Sequence, residues 1–153
     1  MQEQELIASM REFNRFYARI LGVFDKYALG TDYTLAQARI LMEIGRQPGC
    51  SANSIAVYLD MDRSYVARLL KGFEKNGLLQ RLASQADSRK KCLWLTTDGE
   101  AVYHALEKKS DERVRLQLEH IPVRERERLV RAVTELSRIL DRNGTDDGVS
   151  GKQ

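Results

Sequence analysis

The stretch Asp60–Leu95, DMDRSYVARLLKGFEKNGLLQRLASQADSRKKCLWL, runs through two different periodicities in succession. Up to Asn76 the apolar residues Val66, Leu69, Leu70 and Phe73 recur three and four apart, the spacing of one face of a helix. Asp62 supplies an N-cap for that helix, and Asn76-Gly77 its C-terminal signal. Its outer side is left with Arg63, Ser64, Ala67, Arg68 and Lys71, with Tyr65 at the border. Beyond Gly77 the period changes. Leu79-Gln80-Arg81-Leu82 and Cys92-Leu93-Trp94-Leu95-Thr96 are short, alternating and bounded by polar residues, which predicts an antiparallel hairpin with residues 84–90 as its tip.

Working outward, Ser51 offers an N-cap to a short helix with Ile55, Ala56 and Leu59 inward, and Asp60-Met61 joins it tightly to the next. Two short helices on such a turn, the second with a polar outer face, meet the requirements of a helix-turn-helix. Further upstream, Thr31-Asp32-Tyr33-Thr34 reads as a capping turn before a helix from Leu35 to Arg46, with Leu35, Ala38, Leu41, Met42 and Gly45 on related faces. Pro48-Gly49 stops it. Residues 5–29 carry an apolar stripe through Leu6, Ile7, Met10, Phe13, Phe16, Tyr17, Ile20, Leu21, Phe24 and Tyr27, predicting one long helix with Gly30 as C-cap.

Downstream of the hairpin, Thr97-Asp98-Gly99-Glu100 opens a fifth helix with Val102, Tyr103, Leu106, Val114, Gln117 and Leu118 inward. Pro122 starts the last helix, where Leu129, Val133, Leu136 and Leu140 form a seam for another helix. Residues 142–153, RNGTDDGVSGKQ, have too little apolar content to fold and are expected to be disordered. The fold class is therefore mainly α with a small β-hairpin.

Charge is unevenly placed. Asp60–Leu95 holds eight basic residues (Arg63, Arg68, Lys71, Lys75, Arg81, Arg89, Lys90 and Lys91) against four acids, a net +4 in a chain of net +3. The remainder sums to −1, so positive charge is gathered on one supersecondary unit, the footprint of phosphate binding. A helix of this size fits the major groove of B-DNA, where Arg63, Ser64, Tyr65 and Arg68 are candidates for base contacts. Lys71 and Lys75, further along, suit phosphates. Arg89-Lys90-Lys91 at a hairpin tip suits a narrow minor groove.

Composition excludes much else. At 153 residues with 42% hydrophobic and 31% charged residues, the chain can bury a core without a disulfide or metal. Cys50, Cys92, His104 and His120 have no metal-ligand spacing. No glycine-rich phosphate loop or nucleophile–base arrangement is present, so neither a cofactor nor an enzyme is expected. The run Arg124-Glu125-Arg126-Glu127-Arg128 reads as a solvated helix face. The N-terminus has no basic start followed by an apolar stretch, and no apolar run reaches the roughly 20 residues of a bilayer span; a cytoplasmic location is expected.

Residues 51–99 resemble the winged helix-turn-helix of the MarR family of transcription regulators. Asp87-Ser88-Arg89, followed by Leu93, Leu95-Thr96 and Gly99, is similar to that family's D-x-R wing, apolar strand and L-T-x-x-G. Asp62 through Arg68, then Leu70, Phe73, Gly77 and Leu78-Leu79-Gln80-Arg81, matches its recognition helix and the exit into the wing. In outline the likeness covers residues 5–141. It implies a single domain at 1–141, with a winged unit at about 34–97, dimerisation helices at about 3–30 and 98–141, and a tail at 142–153. It further implies a homodimer on a pseudo-palindromic operator. Arg89 would be the minor-groove arginine, Asp87 would hold the wing by an ion pair, and Ser64, Tyr65 and Arg68 would face the major groove. Repression relieved by a small aromatic or amphipathic effector is the usual family outcome, and Phe16, Tyr17, Arg39 and His104 are the candidate pocket residues. Tyr65 departs from the smaller residue often found there, which leaves the operator open.

A looser resemblance, through Phe13-Asn14-Arg15-Phe16-Tyr17, residues 35–41 and Tyr65, is to the regulator half of MarR–acetyltransferase fusions. A stand-alone relative and an excised domain are both compatible with it. A redox-responsive regulator acting through Cys50 or Cys92 is the other alternative. Cys92 lies on the hairpin beside Lys91, and Cys50 precedes a helix cap whose dipole would lower its pKa.

Overall fold

The computed structural model describes residues 2–22 and 25–141. In chain order they form α1 (Glu3–Leu21), a 3-10 turn (Ala28–Gly30), α2 (Leu35–Arg46), α3 (Ala52–Tyr58), α4 (Arg63–Lys75), β1 (Leu79–Ala83), β2 (Lys91–Leu95), α5 (Thr97–Leu118) and α6 (Val123–Leu140). The described residues divide into two compact units, parted between Asp111 and Glu112.

The first unit holds the core. Ile40, Leu41 and Ile44 of α2 meet Ile55 and Ala56 of α3, Val66, Leu70 and Phe73 of α4, Leu93 of β2 and Leu106 of α5. Burying each large side chain contributes about 1.5–3 kcal/mol, enough to fix the elements that carry the polar faces. α2 starts where its cap dictates: the Thr34 hydroxyl accepts from the Gln37 backbone N–H at 3.2 Å, and the Gln37 side chain accepts from that of Thr34 at 2.9 Å. The expected inner face of α2 was too narrow. Ile40, Ile44 and even Glu43 are buried as well, because both α3 and β2 pack against the helix. Gly45 lets the Tyr103 ring of α5 approach so closely that a Cβ would overlap it.

The long first helix is corrected. α1 ends at Leu21, and Gly22, in the left-handed region (φ 65°), closes it with its N–H on the carbonyls of Ala18 and Arg19. Gly30 also has positive φ (69°), but it ends the 3-10 turn rather than a continuous helix. Apolar residues on both sides of Gly22 kept the helical period going in sequence and hid this stop. Phe24 lies outside the described residues. No residue of α1 is buried, and Leu6, Ile7, Phe16 and Tyr17 stand about half exposed.

In α5, Tyr103 and Leu106 are buried as expected, whereas Val114 and Gln117 are exposed. The second unit contains α6, which follows Pro122; none of its residues is buried, and Val133 of its apolar seam is 54% exposed. Ion pairs Glu125–Arg128, Glu127–Arg131 and Glu135–Arg138 line its outer surface. Residues 142–153, expected to be disordered, lie outside the described residues. Among the described residues no helix is long and apolar enough to cross a membrane.

Candidate nucleic-acid interface

α3 and α4 are set by two caps and one strained residue. The Ser51 hydroxyl accepts from the Ser54 N–H at 3.0 Å to start α3. The chain then reverses over Leu59-Asp60-Met61, with Asp60 at φ 51°, a conformation that Asp tolerates better than most residues. The Met61 N–H returns to the Ala56 carbonyl at 2.9 Å, and the Asp62 carboxylate accepts from the Tyr65 N–H at 2.9 Å to start α4. With Val66, Leu70 and Phe73 held in the core, Arg63, Ser64, Ala67, Arg68 and Lys71 are exposed and Tyr65 is half-buried, as the periodicity predicted. The Arg68 guanidinium lies over the Tyr65 ring, 5.2 Å from its centroid.

Gly77 (φ 73°) ends α4 and turns the chain into the wing. β1 and β2 pair antiparallel from Leu79 opposite Leu95 to Ala83 opposite Lys91. The base of the hairpin is tied twice: the Thr96 hydroxyl donates to the Gly77 carbonyl at 2.5 Å, and the Thr96 N–H to the Leu78 carbonyl at 3.0 Å. Sequence reasoning missed two further supports. Residues 49–50 form a third rung: the Gly49 N–H donates to the Leu93 carbonyl, and the Leu93 N–H to the Cys50 carbonyl, both at 2.8 Å. In the sequence the Pro48-Gly49 pair reads only as a helix stop. The second support is the ion pair of Glu74 on α4 with Arg81 on β1, which ties α4 to the hairpin and engages one of the eight basic groups.

At the tip, the Asp87 carboxylate accepts from the Arg89 backbone N–H at 3.0 Å and the Asp87 carbonyl from the Lys90 N–H at 3.1 Å. Asp87 was expected to hold the wing by an ion pair; in the structure its carboxylate shapes the loop through an Asx-type turn instead. Among the described residues the Arg89 guanidinium carries no ion pair, and Arg89, Lys90 and Lys91 are all exposed. The structure therefore presents two clusters of exposed cations, one on α4 and one on the wing tip, both in the first unit. Such groups exchange condensed counterions for phosphate contacts.

The pocket candidates are less coherent. Phe16 and Tyr17 are half exposed on α1, where Phe16 stacks with Arg19 and Tyr17 with Phe13. Arg39 is exposed on α2. His104, its side chain 68% exposed on α5, stands between Glu100 at 3.6 Å and Glu107 at 3.7 Å. Two flanking carboxylates disfavour an anionic ligand beside His104. Glu107 also accepts from the Tyr103 hydroxyl at 2.6 Å, which, with burial, pushes the Tyr103 pKa up to about 12. Among the described residues no group of His, Cys, Asp and Glu is arranged to hold a metal.

Cys50 departs from expectation too. Burial raises the pKa of the Cys50 thiol, with Glu43 and Cys92 adding to it, and its own backbone hydrogen bond offsets only part. The helix-dipole argument for a reactive Cys50 fails on that account. Cys50 pairs with Leu93, so Cys92, the next residue along β2, points to the opposite face; both thiols are free. In a Cys92→Ser variant, alkylation of Cys50 by iodoacetamide should be slow at pH 7 and rise only above the ordinary thiol range. Fast alkylation at pH 7 would restore the redox reading.

Two short helices on a tight turn, followed by a β-hairpin whose cationic tip is exposed, define a winged helix-turn-helix protein. Residues 31–90 match the MarR family model. A Thauera aromatica protein named as a transcriptional regulatory protein for the hcr operon is 32% identical over 93 residues, 61% of this chain and 50% of that protein. The chain thus spans about half the length of this curated relative. The fold is shared with Streptococcus pneumoniae FabT, solved in complex with DNA (TM-score 0.71, 18% identity, 91% of this chain and 97% of that one). It is shared equally with CouR from Rhodococcus jostii RHA1, solved bound to p-coumaroyl-CoA (TM-score 0.71, 20% identity, 90% and 92%).

Proposed function

We propose that the chain is a sequence-specific, double-stranded DNA-binding transcriptional regulator that acts as a homodimer. The observation that carries this reading is the pair of exposed basic clusters, α4 and wing tip, held on one core and tied through Glu74–Arg81. Arg63, Ser64, Tyr65 and Arg68 form the face that enters the major groove, Lys71 neutralises phosphate, and Arg89, Lys90 and Lys91 enter the minor groove, with Asp87 shaping their loop. The relative is named as a transcriptional regulator, and FabT was solved on DNA, which supports the reading.

A second copy would cover the exposed apolar residues of α1 and of α6, and paired winged units would read half-sites about one helical turn apart. Residues 1–141 then serve one function, with 34–97 as the reading head. A cytoplasmic site of action and the absence of catalysis follow from this role. Regulation by a small aromatic or amphipathic effector, with repression as the default, has support in the half-exposed rings of Phe16 and Tyr17 and in the CouR complex.

Selection of bound duplexes from random DNA, followed by titration across salt, tests the proposal. A preferred sequence whose affinity falls steeply with salt is expected; salt-insensitive or sequence-indifferent binding would reject it. Arg68→Ala should cost about 1–3 kcal/mol of discrimination at one base pair in each half-site, read by competition with single-base variants of the selected duplex.

A further inference from the structure

Tyr65 and Arg68 are i and i+3 on α4, so their side chains share a face one turn from the start of the helix. The Tyr65 backbone N–H is fixed by the Asp62 carboxylate at 2.9 Å, and its ring is half-buried. Arg68 is exposed and, among the described residues, has no ion pair; its guanidinium instead stands over the Tyr65 ring, 5.2 Å from the centroid. An unrestrained arginine loses much rotamer freedom when its planar fork is held against a guanine edge, and an aromatic platform removes part of that freedom beforehand. The stack leaves the N–H edge of the guanidinium available, because stacking uses the plane's face and hydrogen bonding its rim.

We propose that Tyr65 is a positioning residue for base readout: it acts through Arg68, whose guanidinium it pre-orients, and so sets the strength of sequence preference at the base pair that Arg68 contacts. This rests on the DNA-binding reading above.

The test uses the duplex that the wild-type chain selects from random DNA and its single-base variants at each position, with wild type, Tyr65→Ala, Tyr65→Phe, Arg68→Ala and the Tyr65→Ala/Arg68→Ala double variant. Tyr65→Ala should lower discrimination about two- to fivefold, the Boltzmann equivalent of one exposed cation–π contact, at the same base pair that Arg68→Ala affects and at no other. Tyr65→Phe, which keeps the ring, should restore it, and in the Arg68→Ala background the loss of the ring should change nothing further. A Tyr65→Ala effect at a different base pair, additive losses in the double variant, or unchanged discrimination would each overturn the inference. Circular dichroism at matched concentration excludes unfolding as the cause. If wild type selects no sequence at all, it is the DNA-binding reading that fails.

Discussion

Replacing Gly99 by alanine is expected to lower the unfolding midpoint by about 10 °C, the equivalent of about 3 kcal/mol of overpacking in a chain of this size. Gly99 is buried in the first turn of α5, where a Cβ would overlap the Leu78 carbonyl oxygen and crowd the Leu95 Cβ. The Leu78 carbonyl cannot retreat cheaply, because it accepts from the Thr96 N–H at the base of the hairpin. Gly72 provides the control of opposite sign. It lies within α4, and nothing would meet its Cβ within 4 Å, so Gly72→Ala should gain about 0.5–1 kcal/mol from helix propensity. Calorimetry of the two variants beside wild type checks the account of the wing's base; a Gly99→Ala midpoint equal to wild type would contradict it.

The second large effect concerns binding. Changing Arg89, Lys90 and Lys91 together to alanine should flatten the dependence of log affinity on log salt by about 2–3, since each phosphate contact contributes a slope of about 0.9. The variant should keep the wild-type unfolding midpoint, because all three side chains are exposed and the turn is held by the Asp87 carboxylate and backbone groups. Fluorescence anisotropy at several salt concentrations measures the slope. An unchanged slope would show that the wing tip does not touch the duplex, whatever α4 does.

Much of this architecture was legible because its signals are local. The limits of α2 follow from the capping turn that ends at Thr34 and from Pro48-Gly49 beyond the other end, and those of α4 from Asp62 and Asn76-Gly77. The hairpin was legible from its change of period. What escaped depended on partners distant in sequence. The rung at residues 49–50 exists only because β2 passes beside it, and Ile40 and Ile44 are buried by elements that no single-helix pattern reveals. The end of α1 was missed for the opposite reason: Gly22 is a local signal, but apolar residues on either side carried the helical period across it.

The candidate site was legible residue by residue but not in its bracing. Exposure of Arg63, Ser64, Arg68 and Lys71 followed from the apolar stripe opposite them. The Glu74–Arg81 tie, the Asx turn under Arg89 and the stack of Arg68 on Tyr65 are side-chain events that charge counting does not distinguish from solvated ions.

The most direct test of the account is dimethyl sulfate protection of the selected duplex, because the reagent marks guanine N7 in the major groove and adenine N3 in the minor groove within one experiment. Bound wild-type protein should protect guanines at the centre of each half-site and adenines flanking them. Arg68→Ala should lose part of the guanine protection, and the wing variant the adenine protection. Protection confined to one groove, or loss of both signals on changing either cluster alone, would contradict the claim that helix and wing engage the duplex together as separate readers.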